Sequence, residues 1–211
     1  MNIGIFGGAF NPIHNGHLNL INCLTRITPD LQSIDRLILI PTANPPHKTS
    51  EGLISGEHRI NMIKLAVFDN DNYDAELADR IEISTIEFES SEKSYTYNTL
   101  KKLKKLYPDD KFFLFMGSDQ VLNFQKWYKY KKILELAEVS AITRNEREQE
   151  TLRSFLLENQ NDLMQRVSIM VAKPVVVSST EIRSRVKNGE DISALVPKAV
   201  ERYIMDNNLY V

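Results

Sequence analysis

Short runs of large apolar residues, each closed by glycine or proline and followed by a stretch with helical spacing, constrain the fold of this chain more than any other feature. Residues 112–116 read FFLFM and residues 36–40 read RLILI, with no polar alternation inside either run. A strand has such a sequence when both of its faces are covered, as inside a parallel sheet flanked by helices. Residues 2–6 form a further apolar run, closed by Gly7 and Gly8. The segment 16–27 then places Leu20, Cys23, Leu24 and Ile27 three and four residues apart, which is one face of a helix.

The alternation continues. Ile60, Ile63 and Val67 mark a helix over 57–68, and 80–89 alternates in part like a strand. Ser94-Tyr95-Thr96 opens a helix carrying Leu100, Leu103 and Leu106. Further on, the pattern predicts a helix over 133–137, a strand over 139–143, a polar helix over 146–165 and strands over 167–171 and 175–177. A helix over 180–187 stops at Gly189, and the last helix begins at Pro197 and runs to 206. Strands alternating with helices imply an α/β, doubly wound parallel sheet of Rossmann-like type, because right-handed crossovers connect parallel strands. With 211 residues and no linker, one domain spanning 1–211 is expected. Ligands of such sheets bind beyond the carboxyl ends of the strands, where strand order reverses.

Composition excludes several functions. Twenty-six basic and 28 acidic residues give a net charge of −2, too balanced for a protein that coats nucleic acid. The lysines at 101, 102, 104 and 105, and at 126, 129, 131 and 132, therefore read as solvated helix faces. The single cysteine, Cys23, lies on an apolar stripe and reads as core. No apolar stretch reaches the roughly 20 residues of a membrane span. The N-terminus lacks the pattern of a secretory leader, so a cytoplasmic protein with no membrane partner is expected.

The chemistry concentrates in Gly7-Gly8-Ala9-Phe10-Asn11-Pro12-Ile13-His14-Asn15-Gly16-His17, a glycine turn between the first strand and the first helix. Glycines let a ligand approach the backbone, and amides at a helix start favour a phosphate. Histidines three apart can share one side of a helix entry and donate to phosphate oxygens, gaining charge if the phosphate raises their pKa. The turn lacks the Gly-Lys-Ser/Thr ending of a Walker A loop and the three-glycine dinucleotide fingerprint. Near the other end, Ser178-Ser179-Thr180 forms a hydroxyl-rich helix entry with Arg183 one turn inside. Its amides, hydroxyls and guanidinium could grip a triphosphate from the opposite side.

The turn resembles the HxGH signature of the nucleotidyltransferase superfamily. The whole chain is similar to the bacterial nicotinate-nucleotide adenylyltransferases through five segments in order: GGAFNPIHNGH, PTANPPHK, SYTYNTL, GSDQVLNFQKWYKYKKIL and SSTEIRSRV. The resemblance implies transfer of the adenylyl group of ATP to nicotinate mononucleotide in NAD biosynthesis. It assigns His14, His17 and Arg183 to catalysis, and Gly7, Gly8, Ala9, Phe10, Gly117, Asp119, Ser179 and Thr180 to ATP. It assigns Asn44, Lys48, Tyr95, Thr96, Trp127, Tyr128 and Arg144 to the mononucleotide. Mg²⁺ is expected on the ATP phosphates, with no protein metal ligands, and homo-oligomerisation is left open. Asn11 and Asn98 depart from the family pattern, where aspartate is common. Rival readings are adenylyl or cytidylyl transfer to nicotinamide mononucleotide, pantetheine phosphate or glycerol phosphate, and a noncatalytic nucleotide sensor. A class I tRNA synthetase shares a related histidine motif, but this chain is short for its domains.

Overall fold

Alternate residues of the apolar runs project to opposite sides of one six-stranded sheet, and each side meets its own layer of helices. A computed structural model describes residues 1–25, 34–46, 52–69, 75–160, 163, 166–172 and 175–211. The strands are β1 (Asn2–Gly8), β2 (Arg36–Pro41), β3 (Ile81–Ile83), β4 (Lys111–Gly117), β5 (Glu138–Thr143) and β6 (Val167–Val171). The helices are α1 (Asn15–Thr25), α2 (Gly56–Phe68), α3 (Ala75–Asp79), α4 (Thr96–Leu106), α5 (Ser118–Val121), α6 (Tyr130–Leu136), α7 (Glu146–Glu158), α8 (Ser179–Lys187) and α9 (Lys198–Asp206).

All strand pairs are parallel and their order is β3-β2-β1-β4-β5-β6. On one face Phe6, Leu37, Leu39, Phe113 and Phe115 pack with buried residues of α1, α2, α8 and α9. On the other, Ile3, Ile5, Ile38, Ile40, Leu114 and Met116 pack with residues of α4, α6 and α7. This is the doubly wound α/β sheet the sequence predicts. Full burial of each such side chain contributes about 1.5–3 kcal/mol, so β1, β2 and β4 are stabilised from both sides. Strand order reverses between β1 and β4, which end at Gly8 and Gly117.

Four local expectations change. Residues 175–177 are not a strand: Val176 is 92% exposed, and Val177 packs partly against the α1 side of the core. An apolar run without a neighbouring strand has no ladder to join. The strand expected over 80–89 shrinks to Ile81–Ile83, the part paired with Leu37–Leu39. Helix α7 ends at Glu158, where Asn159 caps it, short of the expected 165, and residues 161, 162, 164 and 165 of the longer expected helix lie outside the described residues. In α2 Ile63 and Val67 are buried as expected, together with Arg59, Met62 and Ala66, whereas Ile60 is only half-buried at the edge of that stripe. Gly189 ends α8 as expected, with a φ of +70 that suits glycine.

Candidate active site

The turn after β1 is built around an aromatic wedge. Phe10 adopts a left-handed φ of 46 and is 1% exposed, its ring 5.8 Å from Phe6 and 5.0 Å from the His17 ring. With this ring beneath it, the chain turns into α1 and puts both histidines on one side. The His14 and His17 rings are stacked, with centroids 3.7 Å apart and planes 28° apart. The His14 amide donates to His17 Nδ1 at 3.3 Å, and the His17 amide to His14 Nδ1 at 3.4 Å. Gly16 is needed between them, because a Cβ there would lie 3.1 Å from the His14 ring and 3.0 Å from Val177. With each Nδ1 accepting, the ring protons are assigned to Nε2, leaving two neutral N–H donors. Burial, and then the positive charge of Arg144, lower the His14 pKa from 6.5 to about 4. Burial, His14 and Arg144 hold His17 well below its ordinary value. The expected charge is therefore absent from the ligand-free pair near neutral pH.

The far end of the chain closes on this turn. Ser178 caps α8, its hydroxyl accepting from the Glu181 amide, which releases the next two hydroxyls from capping. Ser179 Oγ donates to the Pro12 carbonyl at 2.9 Å. Arg183 Nη1 donates to the Asn11 carbonyl at 2.8 Å, and its Nη2 to Thr180 Oγ1 at 3.2 Å. The sequence-predicted residues from 7–17 and 179–183 thus form one connected group.

Two cavities open above the sheet, sharing Gly117. One, of about 340 Å³, is lined by Gly7, Gly8, Ala9, Thr42, Pro45, Pro46, Glu87, Ser94, Tyr95, Thr96, Trp127 and Tyr128, among others. The other, of about 450 Å³, is lined by Gly117, Ser118, Asp119, Leu122, Arg144, Asn145, Arg147, Glu148 and Thr151. In the first, the Tyr95 and Tyr128 rings lie 4.7 Å apart, and Trp127 is half-buried with its ring 5.5 Å from Phe124. Tyr95 occupies the cap position of α4 without a side-chain cap bond; its carbonyl accepts from the Asn98 and Thr99 amides, and Thr96 is the first residue of the helix, whose start faces the cavity. The Asn44 amide and carbonyl pair with Ser94, and its side chain donates to the Ser91 carbonyl, pinning the loop after β2. In the second cavity, a Cβ at Gly117 would lie 2.6 Å from Asp119 Oδ1, so glycine there lets the carboxylate fold back. Arg144 stands in this second cavity with Gly117 and Asp119, apart from the mononucleotide group it was expected to join, because β5 ends beside β4. Lys48 lies outside the described residues.

Sequence reasoning missed three residues here, Arg59, Glu87 and Glu148, and noted a fourth, Asn11, without assigning it a contact. Arg59, 1% exposed, donates to the carbonyls of Ala9 at 2.9 Å, Thr42 at 2.7 Å and Ile54 at 3.2 Å, joining three loops. Its signal is a cation on the apolar stripe of α2. Glu87 accepts from the Ala43 amide and from Thr99 Oγ1, tying the loop after β2 to α4. Glu148 Oε2 accepts from the Arg144 amide at 2.9 Å and from Ser118 Oγ at 3.1 Å, joining the ends of β5 and β4. Its signal is the Asn145-x-x-Glu148 capping box. Asn11, 5% exposed, donates from Nδ2 to the Gly52 carbonyl, which an aspartate could not do.

Among the described residues, no three His, Cys, Asp or Glu side chains stand together to hold a metal ion, and no helix is long and apolar enough to cross a membrane. The donors that do converge are amides, imidazoles and guanidinia, which suit anions.

A doubly wound sheet with imidazole, guanidinium and amide donors gathered at its reversal point has the framework of nucleotide-binding proteins. Residues 5–185 match the cytidylyltransferase-like family. The nicotinate-nucleotide adenylyltransferase of Bacillus subtilis is 33% identical over 208 residues, covering 99% of this chain and 97% of that protein. By this likeness the chain belongs to the nicotinate-nucleotide adenylyltransferase family. Two solved structures of the Plasmodium falciparum nicotinic acid mononucleotide adenylyltransferase share the fold at 23% identity. The complex with NaAD has a TM-score of 0.77 and covers 99% of this chain and 97% of its own. The complex with APC has a TM-score of 0.75, with coverage of 99% and 96%.

Proposed function

We propose that this enzyme transfers the adenylyl group of ATP to the phosphate of nicotinate mononucleotide, giving nicotinate adenine dinucleotide and pyrophosphate. The observation that carries this reading is the pair of cavities meeting at Gly117 beside the histidine turn. One holds aromatic rings and a helix start for the mononucleotide, and the other holds Asp119 and Arg144 for adenosine. Asp119 accepts from ribose hydroxyls.

A mononucleotide phosphate oxygen attacks the α-phosphorus, and the bond from that phosphorus to the oxygen bridging to the β-phosphate breaks, releasing pyrophosphate. The nucleophile arrives ionised, so no protein base is required, and catalysis consists of alignment and stabilisation of phosphate charge. His14 and His17 offer Nε2–H donors to the phosphates, Arg183 and Arg144 bring permanent charge, and the Gly7–Ala9 amides and the α8 start complete the cradle. Mg²⁺ enters as part of the MgATP substrate, held by phosphate oxygens and water. In the first cavity the start of α4 favours the negatively charged carboxylate of nicotinate over a neutral carboxamide. Trp127, Tyr95 and Tyr128 offer flat surfaces to the pyridine ring.

Pyrophosphate release measured across nicotinate mononucleotide, nicotinamide mononucleotide, pantetheine phosphate and glycerol phosphate tests the assignment. The expected result is the highest kcat/KM with nicotinate mononucleotide. A higher value with a non-pyridine acceptor refutes it.

A further inference from the structure

The penultimate residue of the chain reaches back to the histidine turn. After α9 the backbone takes left-handed conformations at Asn208, with φ 48, and at Tyr210, with φ 67, while Leu209 buries its side chain between them. Asparagine tolerates that region; for tyrosine it is strained and persists only where the surroundings impose it. What the bend achieves is a hydrogen bond across the whole sequence: Tyr210 Oη donates to Asn11 Oδ1 at 2.9 Å. Burial pushes the Tyr210 pKa up, so the hydroxyl stays protonated and remains a donor.

Asn11 is the point at which this bond can matter for chemistry. Its side chain also donates to the Gly52 carbonyl at 2.8 Å and accepts from the Ile54 amide at 3.4 Å. Its backbone carbonyl receives Arg183 Nη1 at 2.8 Å. Tyr210 therefore fixes the plane of a side chain whose main-chain oxygen aims the guanidinium. Without the hydroxyl, Asn11 Oδ1 keeps only the longer bond from Ile54 among those described here, and the carbonyl that holds Arg183 gains freedom to tilt.

We propose that Tyr210 is a positioning residue for adenylyl transfer, setting the Arg183 guanidinium through Asn11; this rests on the reading of Arg183 as a ligand of the ATP phosphates. The tail does not touch the reacting atoms. It completes the turn that carries them, using a residue from the opposite end of the chain.

The test is a double-mutant cycle of Tyr210→Phe, which removes only the hydroxyl, against Arg183→Ala. In the parent protein Tyr210→Phe is expected to lower kcat/KM for ATP by about three- to tenfold, the loss of one hydrogen bond, with the KM for the mononucleotide unchanged. In the Arg183→Ala background the same substitution is expected to change nothing further. A general structural effect would instead appear equally in both backgrounds, and that result, or no effect in the parent, overturns the proposal. Measuring the same cycle on the affinity for α,β-methylene-ATP separates it from the acceptor assignment. If nicotinate mononucleotide fails as an acceptor while the cycle still couples, the proposed function falls and the role of Tyr210 stands.

Discussion

The imidazoles of His14 and His17 lie face to face at 3.7 Å, and the backbone amide of each histidine donates to the ring of the other. Burial first, and then the positive charge of Arg144, keep both rings neutral in the ligand-free protein, with the His14 pKa lowered to about 4. A triphosphate brought against the pair reverses the balance, because an opposite charge favours the protonated ring. Binding of MgATP near pH 6 is therefore expected to take up protons. Calorimetric titrations in buffers of differing ionisation enthalpy read this directly; heats independent of buffer would show that the rings stay neutral donors in the complex and take on no charge.

The same lowered pKa makes stability depend on pH. In the unfolded chain His14 protonates near 6.5, whereas in the folded protein it does so near 4, so between these values the unfolded state binds more protons. Stability then rises with pH across that window. Going down in pH, His14 alone removes up to about 3 kcal/mol by pH 4, from about 1.36 kcal/mol per pKa unit. Urea midpoints measured from pH 7 to pH 4 should show the decline, and His14→Asn should lessen it, leaving the part that His17 contributes.

If His17 acts on phosphate charge during transfer, His17→Ala should lower kcat by about 10²–10³, the usual cost of losing one such donor. The KM for nicotinate mononucleotide should change far less. Steady-state kinetics with each substrate varied in turn would make the distinction, and a kcat near that of the parent would exclude a role for His17 in the reacting complex.

The parallel sheet with helices on both faces and the group formed by residues 7–17 and 179–183 were legible because each follows from local patterns: apolar runs, helical spacing and a dense motif; the strand order was not, since it depends on pairings between distant segments. The stacking of the histidines and their neutrality were not, since both depend on burial by Phe10 and on Arg144. Arg144 was read from its place at a strand end, but a strand end alone does not say which neighbouring cavity it serves. Arg59 and Tyr210 act through contacts with residues 50 and 199 positions away, and Glu87 through a bond to Thr99 that crosses from a loop to α4, so none of these pairings follows from helical or strand periodicity. The asparagine at position 11 is a departure from the family pattern whose purpose appears only when Gly52, Ile54 and Tyr210 are seen around it.

Arg59 leads to a prediction on stability. It is buried, and its guanidinium satisfies three loop carbonyls that surround the proposed nucleotide site. Arg59→Met fills much of the space but leaves those acceptors without their donor, at about 1–3 kcal/mol for each one that water cannot reach. A loss of about 3 kcal/mol or more is expected in urea unfolding, together with weaker ATP binding. Arg59→Lys, which keeps the charge but cannot reach all three oxygens, should fall between the two proteins.

Trp127 distinguishes the two cavities functionally. It lines the first, with Tyr95, Thr96 and Tyr128, and is absent from the lining of the second, where Asp119 and Arg144 stand. Trp127→Ala removes an aromatic face whose stacking contributes about 0.5–1.5 kcal/mol beyond its area. The KM for nicotinate mononucleotide should therefore rise about tenfold while the KM for ATP stays within about twofold. The substitution also withdraws packing from Phe124, so unfolding must be followed alongside kinetics. Should ATP binding weaken as much as mononucleotide binding in a variant of unchanged stability, the division of the two substrates between the cavities would be wrong.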